Sequence, residues 1–179
     1  DGSATTCSQL QSGSVTVTVN PLPTASISGN TEVCLNAPSP NVTFTGATGT
    51  APYTFTYNIN GGPNQTVSTT TGNSVTVSVP TSVAGTFTYN LVSVLDGSST
   101  LCSQAQTGSA TIIVNPLPTS GFTVVTPSCE TRVTSFTDAS VPNAGNITSW
   151  QWNFGDPASG PLNTSTLQNP THVFSTAGT

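Results

Sequence analysis

Charge is what this sequence lacks. Of 179 residues, one Arg and no Lys stand against six Asp and Glu, giving a net charge of -5. Charged residues are 4% of the chain, against about 25% in an ordinary soluble domain. A phosphate backbone is bound by displacing its counterions with several Lys or Arg, and Arg132 is the single one available. Nucleic-acid binding is therefore excluded as an expectation, and so is a basic membrane-surface patch. No apolar run reaches the roughly 20 residues of a membrane helix, so no membrane insertion is expected. Met is missing as well, and there is one His, His172. A nucleophile–base pair has no second histidine to draw on, and the acids are scattered rather than paired as glycoside hydrolysis requires. No enzyme activity, cofactor or metal site is expected: Asp96-Gly97-Ser98 and Asp156 are too sparse an oxygen set for calcium.

Thr and Ser fill the gap, 35 and 24 of the 179 residues. Thr is β-branched and favours strands. Low hydrophobicity with high net charge marks disorder, and low net charge with abundant Thr and Val does not. Fourteen Pro and sixteen Gly punctuate the chain. The expectation is an all-β, turn-rich fold. Period-two alternation supports it. Tyr53, Phe55, Tyr57 and Ile59 alternate with polar residues, as do Val75, Val77 and Val79. Phe87, Tyr89 and Leu91 continue as Val92 and Val94, a phase slip that predicts a β-bulge. About seven short strands in some 95 residues predict an immunoglobulin-type β-sandwich.

An internal repeat organises the chain. Residues 1–24 (DGSATTCSQLQSGSVTVTVNPLPT) and 96–119 (DGSSTLCSQAQTGSATIIVNPLPT) are identical at 17 of 24 positions, at an offset of 95. The same offset relates Cys34 to Cys129, and a shorter match at offset 93 links Ala84-Gly85-Thr86 to Ala177-Gly178-Thr179. The predicted division is 1–22 as the closing strand of a preceding unit, 23–117 as one complete sandwich, and 118–179 as a further, incomplete one. Asn20-Pro21-Leu22-Pro23 and Asn115-Pro116-Leu117-Pro118 read as short, stiff linkers. The repeat register predicts a Cys34–Cys102 disulfide, with Cys7 and Cys129 unpaired within the chain. Widely spaced Cys suit an oxidising, extracellular compartment. No secretory leader is recognisable, so the chain is expected to be a mature protein or a piece of a longer one. One assembly hypothesis is that strand 14–20 completes the sandwich of another molecule by donor-strand addition. Residues 14–20 found unpaired, or paired within their own chain, count against it.

The last segment carries a motif. Residues 148–156 read TSWQWNFGD and residues 168–179 read QNPTHVFSTAGT. This resembles the polycystic-kidney-disease (PKD) domain at Trp152, Phe154, Gly155, Asp156, Asn169, Pro170, His172, Gly178 and Thr179. Pro157 stands where that family has a second Gly, Phe174 replaces its usual Tyr, and the turn after Asp156 is lengthened through Leu162. The resemblance implies a structural His172 beside the aromatic core and a core Trp152; Trp150 falls on the same face by strand period, and an exposed indole there would suit sugar stacking. Asp156 reads as a turn residue capping backbone N–H groups. The complete unit, with its closing SATIIVNPLPT, is similar to the immunoglobulin-like repeats of very large Bacteroidota surface proteins. That similarity implies export by the type IX route, a cell-surface or extracellular location, and a role in adhesion, gliding motility or surface-filament formation. Its partners would be neighbouring repeats of the same polypeptide or filament, and possibly surface glycans. The alternative is a carbohydrate-binding accessory module of a secreted hydrolase. Four Asn-x-Ser/Thr sequons, at Asn41, Asn64, Asn146 and Asn163, read as chance products of a Thr-rich composition. Exposed Thr and Ser are potential O-glycan acceptors.

Overall fold

The alternating segments become strands with one face buried. The computed structural model describes residue 4, residues 8–125 and residues 131–176. Among the described residues nine strands precede residue 116: β1 (Thr24–Ser28), β2 (Thr31–Cys34), β3 (Asn41–Ala47), β4 (Thr54–Ile59), β5 (Gln65–Ser68), β6 (Ser74–Ser78), β7 (Gly85–Leu95), β8 (Ser103–Ala105) and β9 (Ser109–Asn115). Five follow: β10 (Phe122–Val124), β11 (Val133–Asp138), β12 (Trp152–Asn153), β13 (Thr164–Ser165) and β14 (Thr171–Val173). The fold class is all-β, of sandwich type. A short 3₁₀ segment over Pro157–Asn163 accommodates the lengthened turn, broken at Gly160, whose φ is 58°.

The sheets run β1-β3-β6, β2-β9-β7-β4-β5 with β8 added on β7, β10-β11-β14, and β12-β13. The predicted bulge is present: Thr56 pairs with Ser93 and Tyr57 with Leu91, so Val92 is the extra residue on β7. One pairing was not read from the sequence: β2 lies parallel to β9, from Thr31 opposite Ile112 to Cys34 opposite Asn115.

By internal contacts the chain falls into two compact units, Asp1–Ser28, Thr43–Val77 and Tyr89–Ser109 in one, and Gly29–Val42, Ser78–Thr88 and Ala110–Thr179 in the other. The core of the first is aromatic. Phe44, Tyr53, Phe55, Tyr57 and Tyr89 are buried, with Phe44 5.7 Å from Phe55 and 5.0 Å from Tyr57 between ring centres. Aromatic pairs at such distances add about 0.5–1.5 kcal/mol beyond area burial. In the second, Val42, Val79, Ala110, Ile112 and Val114 are buried.

One expectation is corrected. Cys34 and Cys102 are free thiols. Repeat register alone had joined them; Cys34 ends β2 opposite Asn115, and the Cys102 N–H is held by Asp96 at 2.9 Å. Cys7 and Cys129 lie outside the described residues. Residues 14–20 pair with no strand among the described residues, which counts against donor-strand addition. Val15, Val17 and Val19 stand 87%, 77% and 87% exposed. Their repeat counterparts in β9, Ala110, Ile112 and Val114, are buried.

Candidate functional site

In a chain with so few charges, the described acids with low exposure serve as knots. A buried carboxylate is tolerated when hydrogen bonds replace its hydration. Asp96 follows β7. Its Oδ1 accepts the Ser98 hydroxyl at 2.7 Å, the Ser98 N–H at 3.2 Å and the Cys102 N–H at 2.9 Å. Its Oδ2 accepts the Thr50 N–H at 3.2 Å. The Ser98 hydroxyl first, and the three N–H groups after it, hold its pKa below the usual value against the opposing push of burial. Both carboxylate oxygens of Asp96 thus face donors of the chain itself.

Asp156 stands after β12, at the start of the 3₁₀ segment. Its Oδ2 lies 3.0 Å from His172 Nε2 and accepts the Ser175 N–H at 2.9 Å, while its Oδ1 accepts the Ser175 hydroxyl. The Asp156 N–H donates to Asn163 Oδ1 at 2.6 Å, and its carbonyl accepts from Ser159. Ser175 is the main cause that lowers its pKa, with His172 adding to it. His172, on β14, is 4% exposed. It stacks on Phe154 at 4.4 Å and meets Phe174 edge-on at 4.7 Å. Asp, His and Ser thus converge, but the hydroxyl donates to the carboxylate rather than to the imidazole. The nucleophile–base hydrogen bond of covalent catalysis has no counterpart in that geometry. What the arrangement does is pin residues 172–175 to the turn at 156–163.

Asp138, the last residue of β11, is a third knot that the sequence had not singled out. It accepts the Ser140 N–H at 3.0 Å, the Trp150 Nε1–H at 2.8 Å and a Gln168 amide N–H at 3.3 Å. Ser140, by its hydroxyl and its N–H, is the leading cause that brings its pKa down to about 2. Asn169 Oδ1 accepts the Asp138 N–H at 2.8 Å, and Pro170 beside it is buried. The signal for Asp138 was present in the composition: an acid on a strand-like segment of a chain without Lys needs hydrogen-bond donors from somewhere.

The motif residues gather around these knots. Trp152 meets Phe122 at 5.7 Å and Phe136 at 5.9 Å, and its indole N–H donates to the Leu167 carbonyl at 2.8 Å. Phe154 packs on Phe136 at 5.2 Å. Gly155 has φ 73°, the left-handed conformation glycine adopts without strain. Gly178 and Thr179 lie outside the described residues. Beside the knot at Asp138 runs a cleft of about 370 Å³, whose walls include Phe122, Asp138, Trp150, Gln151, Trp152 and Asn153. Both tryptophans border it, with their N–H groups directed into the protein. Among the described residues no cluster of His, Cys, Asp and Glu is arranged to hold a metal. None of the described helices is long and apolar enough to cross a membrane.

Comparison with known proteins agrees with the motif. Residues 115–179 match the family model of the PKD domain. That stretch, 65 of the 179 residues, is similar to the PKD domain. No curated protein matches the chain. Among solved structures, the CARDB domain of a Pyrococcus furiosus protein, crystallised in complex with di-metal ions, is 19% identical over 55% of this chain and 99% of its own, with a TM-score of 0.33. A solution NMR structure of that CARDB domain is 18% identical over 52% of this chain and 97% of its own, with a TM-score of 0.30.

Proposed function

We propose that this chain is a structural, adhesive stalk segment of a large extracellular repeat protein, without catalytic activity of its own. The observation that carries the reading is the repeat at offset 95, whose two copies both end in Asn-Pro-Leu-Pro-Thr. Repeated sandwiches joined by Pro-rich linkers suit a rod. The PKD match over residues 115–179 supports an extracellular setting, and the Asp156–His172–Ser175 geometry supports a structural rather than catalytic use of the chain's one histidine. Scarce charge lets Thr-faced rods lie side by side without strong like-charge repulsion. Adhesion would then come from many weak contacts summed along the array. The test is antibody labelling of intact source cells against residues 23–117, with and without protease shaving. Surface label lost on shaving is the expected result; label seen only after lysis overturns the proposal.

A second reading, a carbohydrate-binding accessory module, is favoured by one observation, the cleft bordered by Trp150 and Trp152. A glycan titration followed by tryptophan fluorescence decides it. A saturable shift abolished by Trp150→Ala supports this reading, and a flat response to neutral oligosaccharides removes it.

A further inference from the structure

We infer that the parallel pair β2–β9 is a mechanical clamp, a load-bearing element that holds when the chain is pulled end to end. The inference rests on the stalk reading for its biological use, but its physics stands on strand geometry. β9 is the last strand before the Asn115-Pro116-Leu117-Pro118 linker, and β2 lies near the start of the predicted 23–117 sandwich. Their register is parallel over four residue pairs, Thr31 with Ile112 through Cys34 with Asn115. Tension drags β2 toward its N-terminal end and β9 toward its C-terminal end. In parallel strands these two directions are opposed along a shared axis, so the load falls in shear. All the evenly spaced bonds of a parallel ladder then carry it together and must fail together.

The ladder is locked at both ends. At one end the Thr111 N–H donates to Asn30 Oδ1 at 2.7 Å. At the other the Leu35 N–H donates to the Asn115 carbonyl at 2.8 Å, and the Asn115 side-chain amide donates to Glu32 Oε1. One of the chain's six acids is thus spent on tying the two strands together. Ile112 and Val114 of β9 are buried, which anchors that strand, while β2 lies on the more exposed side of the pair.

Pulling direction tests this without substituting any residue of the paired ladder. The full chain, held between marker domains, is stretched by single-molecule force spectroscopy in two geometries. One pulls through the chain termini. The other pulls through handles on Cys34, which is exposed, and on a Leu117→Cys variant, with the remaining cysteines changed to Ser. Cys34 lies opposite Asn115, so the second geometry peels the pairs one at a time. The end-to-end event is identified by release of the 77 residues 35–111 between the paired segments, about 28 nm at about 3.6 Å per residue. Its peak force is expected to be at least two-fold above the peeling force. Asn115→Ala is expected to lower the end-to-end force, and Leu35→Pro, which removes a clamp donor, to lower it further. Forced unfolding reports the barrier rather than the equilibrium stability, so an unfolded Leu35→Pro leaves the wild-type comparison intact. Equal forces in the two geometries, or an end-to-end force unmoved by Asn115→Ala, overturn the clamp. Either result leaves the surface-labelling test of the stalk untouched, because a stalk can exist without this clamp.

Discussion

A methyl group at Gly46 is the sharpest single probe of the aromatic core. Gly46 is buried in β3, and glycine weakens a strand interior unless something needs its space. Here the Tyr53 ring takes it. A Cβ built on Gly46 falls 2.5 Å from Tyr53 Cγ and 2.7 Å from both Cδ atoms. Gly46 is not among the residues with positive φ, so Ala meets no backbone strain and the clash is the whole effect. Tyr53 cannot swing aside freely: its hydroxyl donates to the Gly49 carbonyl at 2.7 Å and its N–H to Thr69 Oγ1 at 2.9 Å. Displacing the ring sacrifices about 2 kcal/mol of burial and about 1 kcal/mol for the hydroxyl bond. Ala returns about 0.4–1 kcal/mol by restricting the unfolded chain. The net expectation for Gly46→Ala is about 2–3 kcal/mol of destabilisation, a urea midpoint lower by about 1–2 M. The three tyrosines all lie between residues 53 and 89, and both tryptophans at 150 and 152. Tyrosine emission after partial quenching controls, together with far-ultraviolet circular dichroism, follows the relevant transition. The double-mutant cycle is the decisive form. With Tyr53→Ala already in place, Gly46→Ala has nothing to strike and is expected to be neutral or mildly stabilising. Additive losses in the double variant refute the argument.

Other consequences are quick to check. The Asp138 pKa is lowered, so its carboxylate adds stability above its unfolded value near 4, and that contribution disappears as pH falls to about 2. Asp96 and Asp156 shift in the same direction. Stability is expected to fall steeply below about pH 4, and Asp138→Asn is expected to flatten the slope of a pH series of urea melts; an unchanged slope contradicts the assignment. Asp156→Ala is expected to loosen residues 172–175, raising amide exchange there more than Glu32→Ala does. Cys34 is exposed and Cys102 half-buried, so a maleimide followed by peptide mapping is expected to modify Cys34 before Cys102. Slower labelling at Cys34, or a Cys34–Cys102 peptide found by mapping under non-reducing conditions, contradicts the structure.

What the sequence revealed and what it hid follow from the range of the interactions. Period two in 53–59 and 75–79 is set by adjacent residues, so the strands and their buried faces were readable, as was the bulge at Val92, where the phase visibly slips. The Trp152 to Asp156 motif was readable because its residues are close in sequence. Partnerships across long separations were not. The parallel register of β2 with β9 joins residues 81 apart, from Thr31 to Ile112. Nothing local marks that choice. The Cys34–Cys102 expectation failed for a related reason: repeat register says which cysteines are equivalent, not which are adjacent. Asp138 was missed because its donors come from Ser140, Trp150 and Gln168, two of them well separated in sequence. Gly46 gave no sign at all, since the ring that needs its missing side chain is seven residues away, just before the next strand.

The central claim is that this chain belongs to a repeat-built structural polypeptide. The most direct measurement is the intact mass of the parent polypeptide isolated from its source, with peptide mapping across it. The account predicts a mass many times the 18.1 kDa of this chain, with further units of about 95 residues closing in the same Pro-rich linker. A parent of modest mass, in which the repeat does not recur and a catalytic domain adjoins residue 1 or residue 179, contradicts it.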